Sequence, residues 1–136
     1  MKACFADAFY YIALLDRKDQ FHQRVAEFAV GFSGFYITTR WILAEVGNAL
    51  AGTRHRAGVA DFLRDIEADP SVKIIAESDA VYSRGVVLFG QRPDKEWSLT
   101  DCISIIVMQD EGLSDALTRD HHFKQAGFVP IFADAP

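Results

Sequence analysis

The sequence predicts an α/β fold in which helices cover both faces of a central parallel sheet. Short apolar segments alternate with segments of helical periodicity along the chain, and this alternation is typical of parallel sheets. Half of the 136 residues are hydrophobic and 11 are Phe, which provides the side chains for a substantial core. Because this length is usual for one domain, we expect residues 1–136 to form a single domain.

The predicted strands are short apolar runs that end at polar or turn-forming residues. Residues 3–6 form the first and central strand, which ends at Asp7. Four further runs have the length and composition of buried strands, and they occupy residues 35–37, 72–76, 116–117 and 129–132.

The segments between the strands carry the spacing and end signals of helices. N-cap residues are Asp19, Thr38 or Thr39, Ser78 and Ser98. The predicted helices cover residues 8–15, 19–29, 41–50, 57–68, 78–89 and 98–108. A short helix that Gly127 ends follows Asp120, and the charged segment 90–96 is predicted to be a loop.

The charge of the chain excludes one class of function. The net charge is −5 and the pI is about 5.2, which argues against a basic protein that binds the nucleic-acid backbone directly. An enzyme that handles nucleic acid through metal ions is still compatible with this charge, because bound cations reverse the local sign.

The cysteine pattern and the N-terminus indicate a cytoplasmic protein. Cys4 and Cys102 lie in apolar runs, so we expect two buried free thiols rather than a disulfide. Asp7 interrupts the first apolar stretch, which argues against a signal peptide. No apolar run in the sequence approaches the roughly 18 residues of a membrane span.

Four acidic residues interrupt apolar sequence, where a lone carboxylate is hard to accommodate. They are Asp7, Glu45, Asp101 and Asp120. Three of them have a structural alternative. Asp101 fits a capping box with Ser98, Asp120 is a suitable cap for the short helix, and Glu45 can pair with Arg40.

Considered together, the four acids indicate a metal site. All four are expected at strand ends or helix turns that face the same edge of the sheet, where open α/β sheets bind ligands. Two carboxylates about 4 Å apart repel by about 4 kcal/mol at an effective dielectric near 20, so convergence requires protons or cations. Oxygen ligands without cysteine or paired histidine suit Mg²⁺ or Mn²⁺, ions that promote phosphodiester hydrolysis.

Several blocks of residues carry a resemblance to a known family. The blocks are Phe5-Ala-Asp7 with residues 11–15, residues 19–22 with Ala26, Thr39 with residues 43–46, residues 98–104 with Met108, and residues 116–123 with 126–128. In their order and spacing, they resemble the PIN-domain family, and within it the VapC-like ribonuclease toxins. The resemblance extends over essentially the whole length.

The resemblance implies a three-layer α/β/α sandwich in one PIN-like domain. It implies that Asp7, Glu45, Asp101 and Asp120 are catalytic and hold Mg²⁺ or Mn²⁺, and that Thr118 lies at the pocket rim, where its hydroxyl supports a carboxylate or water. The implied activity is cleavage of single-stranded RNA by the toxin of a toxin–antitoxin pair. One departure is that many relatives place a small hydroxyl residue directly after the first Asp, whereas this chain has Ala8 and Phe9.

The implied partners are RNA, a protein antitoxin and a second copy of the chain. We expect the antitoxin to place an arginine in the acidic pocket, because its planar fork can pair with two carboxylates. An amphipathic segment would then bind a groove near Ile42 and Leu63. We expect a homodimer because the helices around residues 25–28 and 62–66 carry more apolar area than one sheet face covers.

Two other functions are compatible with parts of the pattern. A PIN fold can serve as an RNA-binding or scaffold module with little or no cleavage, although a scaffold has no reason to keep four mutually repelling acids. A receiver-like phosphoacceptor domain would need a lysine at a late strand end, whereas Lys124 lies in the short helix. His121 and His122 resemble a metal cluster, but adjacent helical residues point apart, so we expect His122 to pack or cap and His121 to face solvent.

Overall fold

The computed structural model describes residues 2–133, and a five-stranded parallel sheet runs through its centre. The strands are β1 (Ala3–Ala6), β2 (Phe35–Thr39), β3 (Val72–Ile75), β4 (Asp115–Leu117) and β5 (Val129–Pro130). Their order in the sheet is β3-β2-β1-β4-β5. The first strand is therefore the central one, with Phe5 in register with Ile37 on one side and with Ala116 on the other.

Seven α-helices connect the strands within the described residues. They are α1 (Ala8–Leu15), α2 (His22–Gly31), α3 (Arg40–Leu50), α4 (Arg56–Asp65), α5 (Asp79–Gln91), α6 (Leu99–Asp110) and α7 (His121–Gln125). Right-handed crossovers put α1 to α4 on one face of the sheet and α5 to α7 on the other. In agreement with this arrangement, α1 packs on α2 and α3, and α5 packs on α6. The prediction of a three-layer sandwich is confirmed. No helix of residues 2–133 is long and apolar enough to span a bilayer.

Several helix starts follow the predicted capping chemistry. Thr39 accepts a hydrogen bond from the Ile42 backbone N–H at the start of α3, and Ser78 does the same for Val81 in α5. Ser98 and Asp101 form a complete capping box at the start of α6. These side chains fix where each helix begins, and hence where the acids in the first turns lie.

Some predicted boundaries are wrong by a few residues. Helix α2 begins at His22 rather than next to Asp19, because the Asp19 carboxylate accepts from the Phe21 N–H and closes a turn before the helix. The helix predicted over 57–68 is α4 followed by a 3-10 turn at Ile66–Ala68. The last strand ends at Pro130, because residues 131–133 form a turn in which the Ala133 N–H donates to the Pro130 carbonyl at 3.2 Å.

The apolar helix surfaces that suggested a dimer are partly covered within the chain. Val25 is fully buried and Ile66 is 5% exposed, whereas Phe28 and Phe62 are half-buried, and the homodimer stays a prediction. Another exposed apolar surface lies on α5, where Tyr82, Val86 and Phe89 are each 42–51% exposed. Their spacing places them on one face of the helix.

Candidate active site

A cavity of about 410 Å³ opens at the carboxyl ends of β1 and β4. It is lined by Asp7, Ala8, Phe9, Glu45, Asp101, Thr118, Arg119 and Asp120. The central strand ends directly before Asp7, and the neighbouring β4 ends directly before Thr118. Helix α3 supplies Glu45 and the first turn of α6 supplies Asp101. The structure thus brings all five residues predicted from the sequence around one cavity.

Asp7 is the most deeply placed of the four acids. It precedes α1, but its side chain makes no capping hydrogen bond to that helix. Instead its Oδ2 accepts a hydrogen bond from the Thr118 hydroxyl at 2.8 Å. Burial raises the pKa of Asp7 to about 7, although the bonds from Thr118 and from the Ala8 N–H oppose this shift; the charges of Asp101 and Glu45 add to it. A nearby positive charge would therefore favour full ionisation of this carboxyl at neutral pH.

Thr118 links two of the acids. Its hydroxyl donates to Asp7 and accepts from the Asp120 backbone N–H at 3.1 Å. The hydroxyl supports a carboxylate, as expected, and the residue lines the cavity although it is only 1% exposed. One reason for its burial is that the Phe132 N–H donates to the Thr118 carbonyl and brings the C-terminal turn over it. Thr118 therefore holds the Asp7 carboxylate at the cavity wall.

Glu45 reaches the cavity from α3 without an ion-pair partner among residues 2–133. Burial raises its pKa, a hydrogen bond from Thr100 lowers it, and the charge of Asp101 raises it further. The alternative that Glu45 pairs with Arg40 is wrong, because Arg40 binds Glu67 and Glu77. The half-buried carboxylate is thus directed towards the other acids.

Asp101 and Asp120 combine capping with a place at the cavity. Oδ2 of Asp101 accepts from the Ser98 N–H at 3.0 Å. Oδ1 of Asp120 accepts from the His122 N–H at 2.9 Å. The structural roles considered from the sequence are therefore present. These capping hydrogen bonds fix the two carboxylates at the cavity wall, and each carboxylate has further lone pairs that the capping bond does not use.

His122 is a site residue that the sequence did not reveal. Its Nδ1 lies 3.0 Å from Oδ2 of Asp101 and 3.2 Å from Oδ1 of Asp120. The turn that Asp120 closes brings the residue two positions later back towards α6. His121 has a side chain 71% exposed, as expected from the sequence.

The two histidines and Asp120 also bring ligand-type atoms within 4.8 Å of one another. However, Nδ1 of His122 lies between two carboxylates, so it acts there as a hydrogen-bond donor. We therefore interpret this cluster as a means of orienting Asp101 and Asp120 and not as a separate ion site.

Arg119 provides a positive charge at the cavity wall. Its guanidinium lies 4.0 Å from the centre of the Phe21 ring, a cation–π contact that positions it. Arg40 and Arg56 make contacts elsewhere in the chain. Arg40 binds two glutamates, and Arg56 donates to the Ala51 carbonyl at 3.0 Å. Arg119 is thus the basic residue that adjoins the acids.

Comparisons with known proteins give one informative likeness. No family model matches the sequence, and no curated protein matches it. Among solved structures, the chain is similar to VapC20 from Mycobacterium tuberculosis, a toxin that cleaves the sarcin–ricin loop. The TM-score is 0.86 at 20% sequence identity, over 96% of this chain and 98% of VapC20.

The chain has the PIN-like fold of VapC20. At this sequence identity, the structural match shows the fold alone. The match confirms the architecture that the motifs in the sequence predicted. The match covers 98% of VapC20, so the sheet and helices described here correspond to nearly all of that chain.

The donor set at the cavity fits a divalent cation. The cavity is lined by four carboxylates, a hydroxyl and one guanidinium. In the part of the chain that the structure describes, Asp7 and Glu45 have no salt-bridge partner, and burial raises the pKa of both. Hard ions such as Mg²⁺ or Mn²⁺ bind oxygen ligands of this kind. A cation would supply the positive charge that the buried carboxyls need in order to ionise.

Proposed function

We propose that the protein is a metal-dependent endoribonuclease and the toxin of a toxin–antitoxin pair that acts in the cytoplasm. The observation that carries the proposal is the convergence of Asp7, Glu45, Asp101 and Asp120 on one cavity at the carboxyl edge of the sheet. The likeness in fold to VapC20, a toxin that cleaves the sarcin–ricin loop, supports RNA as the substrate.

In this proposal the four carboxylates are the catalytic groups and hold Mg²⁺ or Mn²⁺. A bound ion would supply an activated water and neutralise charge on the phosphate oxygens. Asp7 would be one of the carboxylates that hold the ion, and the Thr118 hydroxyl keeps its Oδ2 in place. His122 holds Asp101 and Asp120 in a fixed orientation, and Arg119 is positioned to bind a phosphate beside the acids.

Ala8 and Phe9 occupy the position where many relatives have a hydroxyl residue. Both line the cavity, and the Phe9 ring packs on Phe21 and Phe132. An apolar wall at this position excludes water from one side of Asp7 and increases its desolvation. We propose that Thr118 provides the hydroxyl that residue 8 lacks.

The experiment for this proposal compares cleavage by wild type and by isosteric amide variants. A sarcin–ricin-loop oligonucleotide and an unstructured RNA serve as substrates, with Mn²⁺ or with EDTA. We expect Glu45→Gln to lower the cleavage rate at least about 100-fold. Glu77→Gln removes an exposed carboxylate that pairs with Arg40 and should leave the rate unchanged. Equal rates for these two variants would refute the assignment of Glu45.

The alternative is an RNA-binding or scaffold module that does not cleave. The net charge of −5 favours a scaffold over an RNA-binding module, since it disfavours tight binding of an RNA backbone without cations. This alternative requires that wild type and Glu45→Gln bind RNA equally and that neither cuts it in Mn²⁺.

We further propose that an antitoxin inhibits the enzyme through the acidic pocket. An arginine of the antitoxin would replace the cation, and an amphipathic segment would lie in a groove between α3 and α4. A groove of about 230 Å³ supports this proposal, and Leu50, Val59 and Leu63 line it. Ile42, which was expected beside the groove, is buried and does not line it. Linkage then requires that Mn²⁺ and the antitoxin weaken each other's binding. Equal antitoxin affinity with and without Mn²⁺, and for Asp120→Ala, would contradict this mode of inhibition.

We also propose a homodimer in which the exposed apolar face of α5 is the contact. Tyr82, Val86 and Phe89 share that face, and a symmetric pair of such helices is self-complementary. Light scattering tests this proposal directly. Wild type should have the mass of a dimer at micromolar concentration and Val86→Lys that of a monomer, whereas a monomeric wild type would refute it.

A further inference from the structure

A second cleft lies at the end of the sheet opposite the acidic cavity. It has a volume of about 240 Å³ and is lined mainly by apolar atoms of α1, α2, α4 and the starts of β2 and β3. The lining includes Tyr11, Leu14, Ala29, Phe62 and Ile66. Since pockets for drug-sized ligands start at about 300 Å³, this cleft has room for about one long side chain.

One buried hydroxyl at this cleft has no hydrogen-bond partner. Tyr11 is 4% exposed, and its hydroxyl oxygen is buried and unpaired. By contrast, the hydroxyls of Tyr10 and Tyr36 bond each other at 2.7 Å. Burial raises the pKa of Tyr11, and the charges of Tyr36 and Asp69 raise it further. Both of these residues also line the cleft. An unpaired buried hydroxyl gains free energy from any group that supplies the missing hydrogen bond.

Two carboxylates complete the cleft. Asp65 and Asp69 line it, and both residues are exposed. Oδ1 of Asp69 accepts from the N–H and the hydroxyl of Ser71, at 2.9 and 2.7 Å, which leaves Oδ2 free. Neither aspartate forms a salt bridge with a residue in the range 2–133. The cleft therefore combines apolar walls, an unpaired hydroxyl and negative charge without a cation.

We propose that this cleft binds an arginine side chain presented by a partner polypeptide. The aliphatic stem would pack against Leu14, Phe62 and Ile66, as the stems of basic side chains do on apolar surfaces. The planar guanidinium would donate to the free Oδ2 of Asp69 and to the hydroxyl of Tyr11 at once, which a single ammonium does less well.

A polypeptide is favoured over a free polyamine because apolar surface continues beside the cleft. Ala29 lines the cleft, and the next residue on α2, Val30, is 90% exposed. A residue that flanks the arginine in a polypeptide can cover Val30, whereas a free diamine cannot. The proposal concerns a site remote from the four acids and does not depend on nuclease activity.

The test is an NMR titration of the full chain with the blocked peptide acetyl-Leu-Arg-Leu-amide. Its control is the same peptide with citrulline, which is isosteric with arginine but neutral. We expect the arginine peptide to shift the amide signals of Tyr11, Phe62 and Asp69, and to bind at least tenfold more tightly than the citrulline peptide. Equal affinity of the two peptides, or no localised shifts, would overturn the proposal.

Two variants and one control test the named groups. Asp69→Asn keeps the turn with Ser71, and Tyr11→Phe removes only the unpaired hydroxyl, so both should fold. Each variant should lower the affinity for the arginine peptide several-fold. Asp61→Asn, on the exposed side of α4 beside Arg64, should leave this affinity unchanged. Unchanged affinity in Asp69→Asn would overturn the role of its carboxylate. Tighter binding of 1,4-diaminobutane than of the arginine peptide would identify a polyamine site and overturn the assignment to a polypeptide.

Discussion

Replacing Asp7 by Asn should stabilise the metal-free protein at neutral and alkaline pH. The carboxyl has a pKa of about 7 in the folded chain, against a usual value of 3.8, mainly because it is buried. A group whose pKa is raised on folding keeps its proton up to a higher pH in the folded state than in the unfolded state. The free energy of unfolding therefore falls as pH rises from about 4 to about 7. The amide of Asn cannot ionise, so the free energy of unfolding of the variant does not fall in this way.

The size of the effect follows from the shift in pKa. A difference of about 3 pKa units corresponds to about 4 kcal/mol at 1.36 kcal/mol per unit, as an order of magnitude. For a domain of this length, about 4 kcal/mol corresponds to a change of roughly 10 °C in the melting temperature. Any effect of the amide on packing changes the free energy of unfolding by the same amount at every pH. The test is therefore how the difference in this free energy between variant and wild type changes with pH.

The assay is thermal or urea unfolding in EDTA, at intervals of half a pH unit from pH 4 to 8. We expect the stability of Asp7→Asn relative to wild type to rise through this range and to level off above about pH 7. The control is Asp94→Asn, because Arg92 lowers the pKa of Asp94 to about 2, so its stability difference should stay flat. A flat difference for Asp7→Asn as well would show that Asp7 is not desolvated in the way we infer.

Two further pairs of variants test the support of the site and of the fold. His122→Gln should lower the rate of RNA cleavage by about 10- to 100-fold, because His122 orients Asp101 and Asp120. The control His121→Gln changes an exposed side chain and should alter the rate little. Equal losses of rate in the two variants would favour a histidine metal site instead. Gly85→Ala should destabilise the fold by about 1–3 kcal/mol in urea unfolding, because its Cβ would lie 2.6 Å from Cγ1 of Ile103. Gly90→Ala in the same helix meets open space and should stabilise by about 0.5–1 kcal/mol, so similar effects at both positions would contradict the close packing of α5 on α6.

The fold could be predicted from the sequence because its signals are local. The strands at 3–6 and 116–117 and the caps at Thr39, Ser78 and Ser98 are local patterns of polarity and hydrogen-bonding side chains. The last strand is shorter than predicted because a turn at residues 131–133 follows Pro130. Helix α2 begins later than predicted because an Asx-type turn at Asp19 precedes it.

The site was predictable in its acids but not in its supporting contacts. Asp7 and Glu45 stood out because they are charges within apolar sequence. The depth of Thr118 depends on the C-terminal turn that bonds its carbonyl, which is a contact between distant residues. The position of His122 depends on how the turn at Asp120 faces α6. Neither arrangement has a signal in the spacing of residues.

The most direct measurement for the central proposal is RNA cleavage as a function of Mn²⁺ concentration, by wild type and by Asp101→Asn. The amide can keep the capping bond from Ser98 while it removes the charge, so the fold should persist. We expect wild-type cleavage to rise from zero in EDTA to saturation with Mn²⁺, and Asp101→Asn to lose at least about 100-fold at every concentration. Wild-type cleavage that is undiminished in EDTA would contradict the proposal of a metal-dependent nuclease.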